Sequence, residues 1–294
     1  MRCPQARELP SPPAGKTGWP WEFEEEMPNA EVESGQQLPK ISVVTPSYNQ
    51  VAFIEQTIRS VLLQDYPDLE YIIVDGGSSD GSVEVIRKYE KWLAYWVSEK
   101  DRGQSHAINK GFARTTGEIL CWLNSDDYYA PDTLRTVAEL LTKETGNVAL
   151  VGHAIVVFQD GRGPVFCKGE FINRRRLLEF WKGYRMHQAS IFWRREVFDK
   201  VGMLREDLHL TMDFDYWARI ARHYQFLNVD QVLSFCNQHP AAKTSDNCVK
   251  AHQVLREQRR SYWGSKWSLE YWALEASSLK YLVVRPIAQR LGLA

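Results

Sequence analysis

Four polar runs in this chain combine residue types that bind or transform a ligand, and each follows a short apolar, β-forming run. They are Thr45-Pro46-Ser47-Tyr48-Asn49-Gln50, Asp75-Gly76-Gly77-Ser78-Ser79-Asp80-Gly81, Ser98-Glu99-Lys100-Asp101-Arg102-Gly103-Gln104 and Asn124-Ser125-Asp126-Asp127. The first lacks the GxGxxG spacing that lets a backbone approach a pyrophosphate, so a dinucleotide site is not indicated. It also lacks the basic residue that a triphosphate-holding loop carries. The second places a carboxylate where it can accept hydrogen bonds from a ribose or a base edge. In the fourth, two adjacent carboxylates repel one another, and a divalent cation is the common remedy. Oxygen ligands alone favour Mg²⁺ or Mn²⁺ over zinc. Two later segments add an acid-rich stretch, Thr211-Met212-Asp213-Phe214-Asp215-Tyr216-Trp217, and a lone histidine in Asn237-Gln238-His239-Pro240.

The elements that must hold these groups are legible from periodicity. Strands are expected at 41–45, 69–74, 95–98 and 119–123, and helices at 51–64, 82–92, 104–113 and after Pro131, which suits a first helical turn. Such alternation argues for an α/β architecture, a mostly parallel sheet with helices on both faces. In such a sheet, ligands bind outside the carboxyl ends of the strands, which is where all four polar runs fall. After residue 148 the rhythm becomes hairpin-like (148–158 and 164–167). A strand at 189–193 and a helix at 213–224 follow. This half reads as an extension of the sheet that supplies a second wall to a cleft.

Taken in order, ISVVTPSYNQ, YIIVDGGSSDGS, SEKDRGQSHAINKGF and GEILCWLNSDD resemble the inverting family 2 glycosyltransferases of the GT-A fold, over roughly residues 41–244. The resemblance implies a nucleoside-diphosphate-sugar donor, a hydroxyl-bearing glycan or lipid-linked acceptor, and Mg²⁺ or Mn²⁺. It implies donor contacts from Thr45, Pro46 and Tyr48, the last offering a stacking face, and from Asp75, Gly76, Asp101, Arg102 and Asn109. The family's acidic turn usually reads DDGS; here its second acid is Gly76, which leaves the nucleobase open. The resemblance makes Asp127 a metal ligand, Asp126 a ribose or sugar contact, and His239 a second metal or diphosphate contact. It places Asp213 at the position of the general base, with Asp215 as fallback; a helix N-terminus is expected to keep Asp213 ionised. His187 and Gln188, by contrast, read as ordinary residues of their loop.

The 294 residues carry 36 Lys+Arg against 37 Asp+Glu, which removes the basic excess a nucleic-acid binder shows. Five scattered cysteines without a CxxC pair indicate neither a disulfide framework nor a zinc ribbon and fit a reducing compartment. No run reaches the ~20 apolar residues of a membrane span, and the opening residues lack an apolar signal core, so the cytoplasm is expected. Three regions are expected: an extended arm (1–39) whose Trp19 and Trp21 pin it to the body or wall a cleft, a glycosyltransferase domain (40–247), and a helical extension (248–294). In the extension, basic residues (Lys250, Arg256, Arg259, Arg260, Lys266, Lys280, Arg285, Arg290) alternate with Trp263, Trp267, Tyr271, Trp272 and Tyr281. That pattern suits either packing on the domain or peripheral contact with an anionic membrane. Competing readings are a sugar-phosphate nucleotidyltransferase and a non-catalytic nucleotide-sugar-binding component of an assembly complex.

Overall fold

The computed structural model describes residues 3–22, 38–142, 146–178, 186–243, 254, 255, 257, 262 and 266–279. Its framework is β1 (Ile41–Ser47), α1 (Ile54–Leu62), β2 (Leu69–Asp75), α2 (Ser82–Lys88), β3 (Tyr95–Ser98), α3 (Gln104–Phe112), β4 (Ile119–Trp122), β5 (Asp127–Tyr129) and α4 (Thr133–Leu140). The second half adds β6 (Ala149–Phe158), β7 (Val165–Cys167), α5 (Arg174–Leu178), β8 (Ile191–Arg194), α6 (Arg195–Val201), α7 (Met212–Ile220) and β9 (Leu227–Gln238). The strands form one sheet in the order β3-β2-β1-β4-β8-β6-β9-β5, with β7 paired to β6.

Strands β3, β2, β1 and β4 run parallel, as the βα alternation requires. β8 then joins β4 antiparallel, β6 joins β8 antiparallel, and β9 runs parallel to β6. The second half thus extends the first sheet, as the sequence suggests, and turns it mixed.

Successive residues of the central strands point to opposite faces, and both faces are covered. Val43, Tyr71, Ile73 and Cys121 pack under α1, α2 and α4, against Ile54, Ile58, Val85 and Leu134. Val44, Ile72, Val74 and Trp122 pack under α3 and α7, against Ile108, Phe112 and Trp217. On the second side Trp122 stacks flat on Trp217 at 5.1 Å, and Trp193 meets both rings at steep angles, 5.6 and 5.5 Å away. This aromatic block fixes α7 to the carboxyl end of β4.

β1 runs two residues past the expected end, through Pro46 to Ser47. Its pairing with β4 stops at Val44↔Trp122, where the Val44 carbonyl accepts from the Leu123 N–H at 2.9 Å. Pro46, two residues on, turns its missing N–H to that same, now unpaired edge, so proline is tolerated there.

The described part of the N-terminal arm lies against α1. Arg59, 2% exposed, donates to the carbonyls of Pro10 (2.8 Å), Pro20 (3.1 Å) and Trp21 (3.4 Å). Trp21 is buried, with the Arg59 guanidinium over its ring. The Trp19 indole donates to the Tyr129 carbonyl at 2.7 Å. At the other end a helix spans Leu269–Leu279, with Tyr271 and Glu275 buried. Of the basic residues and aromatics singled out there, Lys250, Arg256, Arg259, Arg260, Lys280, Arg285, Arg290, Trp263 and Tyr281 lie outside the described residues.

Candidate active site

The carboxyl ends of β1, β2 and β4, the start of α7 and the segment after β9 enclose a cleft of about 600 Å³. Pro46 and Tyr48 form one wall; Tyr48 is 62% exposed, so its ring face is open to a flat ligand. Gly76 and Asp101 meet beside it. A Cβ at Gly76 would stand 2.7 Å from Asp101 Oδ2 and 3.3 Å from the Tyr48 ring, so glycine here leaves room for the Asp101 carboxylate. Asp101 Oδ1 accepts from the Gly103 N–H at 2.7 Å, which fixes its direction.

Asp126 and Asp127 lie on the floor, at the turn from β4 into β5. Burial, and after it the neighbouring charge of Asp126, push the Asp127 carboxyl well above the usual carboxylate range. The Asn124 amide is 3.5 Å from Asp127 Oδ2. Asn237 Nδ2 donates to the Asp126 carbonyl at 2.7 Å, tying the end of β9 to this turn. The imidazole of His239 then reaches back, its Nε2 3.3 Å from Asp126 Oδ2, with Phe53 stacked on the ring at 4.4 Å. His239 therefore meets Asp126, the carboxylate expected to touch sugar or ribose, next to Asp127 in the chain.

Asp213 lines the same cleft, from the first turn of α7. Burial raises its carboxyl above the usual range, opposed by the helix-terminal N–H groups and by the charge of Lys243. The helix N-terminus thus acts in the direction that favours the ionised acid, while desolvation is the larger influence on its pKa. Lys243 in turn is pushed down by burial and up by Asp213; its Nζ donates to Gln104 Oε1 at 3.1 Å, and Gln104 Nε2 donates to Asn124 Oδ1 at 2.7 Å. A polar bridge therefore crosses the cleft from the segment after β9 to α3 and β4.

Four of the expected donor contacts are not brought to the cleft wall. Thr45 is buried, its hydroxyl 3.1 Å from that of Tyr71. Asp75 is buried and spends its carboxylate on its own loop, accepting from Gly77 N (3.0 Å), Ser78 N (2.8 Å) and Ser98 Oγ (2.7 Å). That loop turns at Gly77, whose φ of +84° suits glycine. Asn109 clamps Leu204, donating to its carbonyl and accepting from its N–H, each at 2.9 Å. Arg102 pairs with Glu206 at 2.7 Å near the surface. The last two therefore hold the 204–206 segment, which leads to His209 and Met212 on the cleft wall. Asp215, the fallback base, is buried in an ion pair with Arg219 at 2.9 Å and also accepts from the Tyr262 hydroxyl, so its oxygens are engaged away from the cleft.

Gln104, the last residue of the third polar run, Lys243, to which the sequence assigns no individual role, and Gln188, expected to be an ordinary residue of its loop, all line the cleft. Gln188 Nε2 donates to the Trp122 carbonyl at 2.6 Å, while its Oε1 and the Ser47 hydroxyl are buried with no hydrogen-bond partner among the described residues. Such groups await a ligand hydroxyl or water. The side-chain amide of Gln188 carries no motif, and its place in a 3-10 turn just before β8 gives no sequence signal of the cleft.

An α/β sheet of this order, with acids gathered in one cleft at its strand ends, has the architecture of a GT-A fold. Residues 42–202 match the model of Glycosyl transferase family 2, and the chain belongs to that family. Its fold is the GT-A fold, and it is a glycosyltransferase. The putative teichuronic acid biosynthesis glycosyltransferase TuaG of Bacillus subtilis is 36% identical over 126 residues, which are 42% of this chain and 50% of that one. Among solved structures, S. aureus TarS 1–349 in complex with UDP-GlcNAc superposes with a TM-score of 0.60 at 17% identity, covering 83% of this chain and 71% of that one. The Pyrobaculum calidifontis mannosyltransferase PcManGT in complex with GDP-Man and Mn²⁺ gives 0.57 at 22% identity, covering 86% and 72%.

Proposed function

We propose that the chain transfers a sugar from a nucleoside-diphosphate-sugar donor to a hydroxyl of a glycan or lipid-linked acceptor, inverting the anomeric carbon, in the synthesis of a cell-surface polysaccharide. The observation that carries this reading is one cleft lined by Asp126, Asp127 and Asp213 together. The likeness to TuaG supports the polysaccharide assignment, and the UDP-GlcNAc and GDP-Man of the two similar structures support the donor class while leaving the base open.

In the proposed step, the acceptor oxygen attacks the anomeric carbon as the bond to the diphosphate oxygen breaks, and Asp213 takes the acceptor proton. A raised pKa makes Asp213 a stronger base than an exposed aspartate. Tyr48 offers its open ring to the nucleobase, and Asp101, fixed by the Gly103 N–H, offers an acceptor beside it.

The donor set fits a hard cation. Among the described residues no cluster of three or more His, Cys, Asp or Glu forms a ready cage. The Asp126–Asp127 pair with His239 alongside offers few protein ligands, the pattern of Mg²⁺ or Mn²⁺ sites completed by substrate phosphates and water. Bound there, such an ion would supply positive charge to the leaving diphosphate.

Peripheral membrane contact belongs to the same reading. No helix among the described residues is long and apolar enough to cross a membrane. Trp267, Leu269 and Trp272 are exposed, and Lys266 precedes them. Flotation with anionic vesicles tests this, and failure to float removes it.

The enzymatic reading is tested by incubating the protein with UDP-, GDP- and dTDP-sugars, Mn²⁺ and a broad acceptor panel. Metal-dependent release of one nucleoside diphosphate is expected. A nucleotide-induced thermal shift without release from any donor would favour the non-catalytic binding reading, and neither release nor shift would overturn both.

A further inference from the structure

β5, the strand that begins with Asp127, has three residues and ends the sheet. One edge pairs with β9 through Asp127↔Cys236, Tyr128↔Phe235 and Tyr129↔Ser234. The other edge would present unpaired backbone groups to a buried environment, which is costly. Side chains close it. Thr57 Oγ1 donates to the Asp127 carbonyl at 2.6 Å and the Tyr129 N–H donates to Ser60 Oγ at 3.1 Å, while just past the strand Gln64 Nε2 donates to the Ala130 carbonyl at 2.9 Å. Thr57, Ser60 and Gln64 stand at i, i+3 and i+7, one stripe on and just past α1. The Tyr129 carbonyl takes its hydrogen bond from elsewhere: the Trp19 indole of the N-terminal arm, at 2.7 Å.

The arm lies outside the family-matched residues 42–202, and it is fastened independently of β5. Arg59 sits on another side of α1 and donates to the Pro10, Pro20 and Trp21 carbonyls, so releasing the arm would strand a buried cation. One helix therefore holds the arm with Arg59 and the acid-bearing strand with Thr57 and Ser60, and Trp19 joins the two.

We infer that the N-terminal arm is a working part of the donor site, with Trp19 a positioning residue that fixes, through the Tyr129 carbonyl, the strand carrying Asp127. Carboxylates that share a charged ligand must be held to within roughly 0.5 Å, and on the edge that β9 does not reach Trp19 adds the bond to the Tyr129 carbonyl that Thr57 and Ser60 leave unmade. The inference rests on the reading of Asp126 and Asp127 as the cation and diphosphate site.

The test is calorimetric binding of UDP and GDP with and without Mn²⁺ to the wild type, Trp19→Phe and Trp21→Phe. Trp19→Phe keeps a ring and deletes the N–H; Trp21→Phe disturbs the arm without touching β5. Trp19→Phe should weaken the Mn²⁺-dependent binding about tenfold, the scale of losing an outer partner of a metal ligand. Trp21→Phe should leave it nearly unchanged. In turnover, Trp19→Phe should raise the KM for donor and not for acceptor. Unchanged binding by Trp19→Phe, or equal weakening in both variants, would overturn the inference while leaving the site reading intact. A wild type that binds no nucleoside diphosphate with Mn²⁺ would overturn the site reading, and this inference with it.

Discussion

The Nε2 of His239 stands 3.3 Å from Asp126 Oδ2, on an imidazole that Phe53 stacks at 4.4 Å. The chain thus carries the ring from just past β9 to the turn between β4 and β5 and holds it there by an aromatic contact from the start of α1. His239→Ala should weaken Mn²⁺-dependent nucleotide binding by about tenfold or more, read by calorimetry. His239→Gln, which keeps a polar tip, should lose less. Affinity unaffected by either change would remove the histidine from the site.

Asp213→Asn tests the base. Loss of a positioned general base costs about 10²–10⁴-fold in rate, so kcat should fall by that order while nucleotide affinity holds. The acid is active only when ionised, and burial raises its pKa. The rate should therefore rise with pH along a limb displaced above the ordinary aspartate range of ~3.9. Stability runs the other way. With the folded pKa above the unfolded one, the unfolded state ionises first as pH rises, so this group's contribution to stability falls between the two values. The Asn variant should lack that fall in thermal melts. A rate limb at the pH of an exposed aspartate would contradict the burial argument.

Arg59→Met asks what the buried guanidinium contributes. Three arm carbonyls would lose their donor, at roughly 1 kcal/mol each, so a loss of about 3 kcal/mol and a Tm lower by several degrees are expected. Limited proteolysis should then cut the 3–22 segment sooner than in the wild type. Resistance equal to wild type would mean that the arm is held by other contacts.

Gly76→Ala places a Cβ against the Asp101 carboxylate, at 2.7 Å in the present geometry. Because that contact is the far end of a side chain, the fold should survive and Asp101 should swing away. Nucleotide affinity should fall several-fold with Tm close to wild type. A variant that binds UDP and GDP as the wild type does would show that Asp101 does not contact the donor.

The first half of the fold was legible because each βα unit repeats its period in a short span. Ile54, Ile58, Val61 and Leu62 mark the inner face of α1 in the sequence and are buried in the structure. The helix expected over 82–92 divides instead into α2 and a 3-10 turn, Glu90–Trp92. β9 escaped notice because its twelve residues mix Asn228, Asp230 and Gln231 with apolar ones, and its register against β6 slips near His153. Without β9 in view, β5 had no visible partner either. At the site, motif-bearing acids were legible, but Asp75, Asn109 and Arg102 carry the same residue types while serving loops. Side-chain type reports chemistry; which way the chain turns it is decided by distant partners such as Leu204 and Glu206.

The stacking of Trp122 on Trp217 bears on how substrates enter and leave. It welds the floor with Asp126 and Asp127 to the helix with Asp213, and both belong to one uninterrupted sheet and its cover. Separating these two walls would break that stack, so the acids are expected to keep their spacing through a turnover, while the Lys243 contact to Gln104, made by side chains, is a link across the cleft that can part without it.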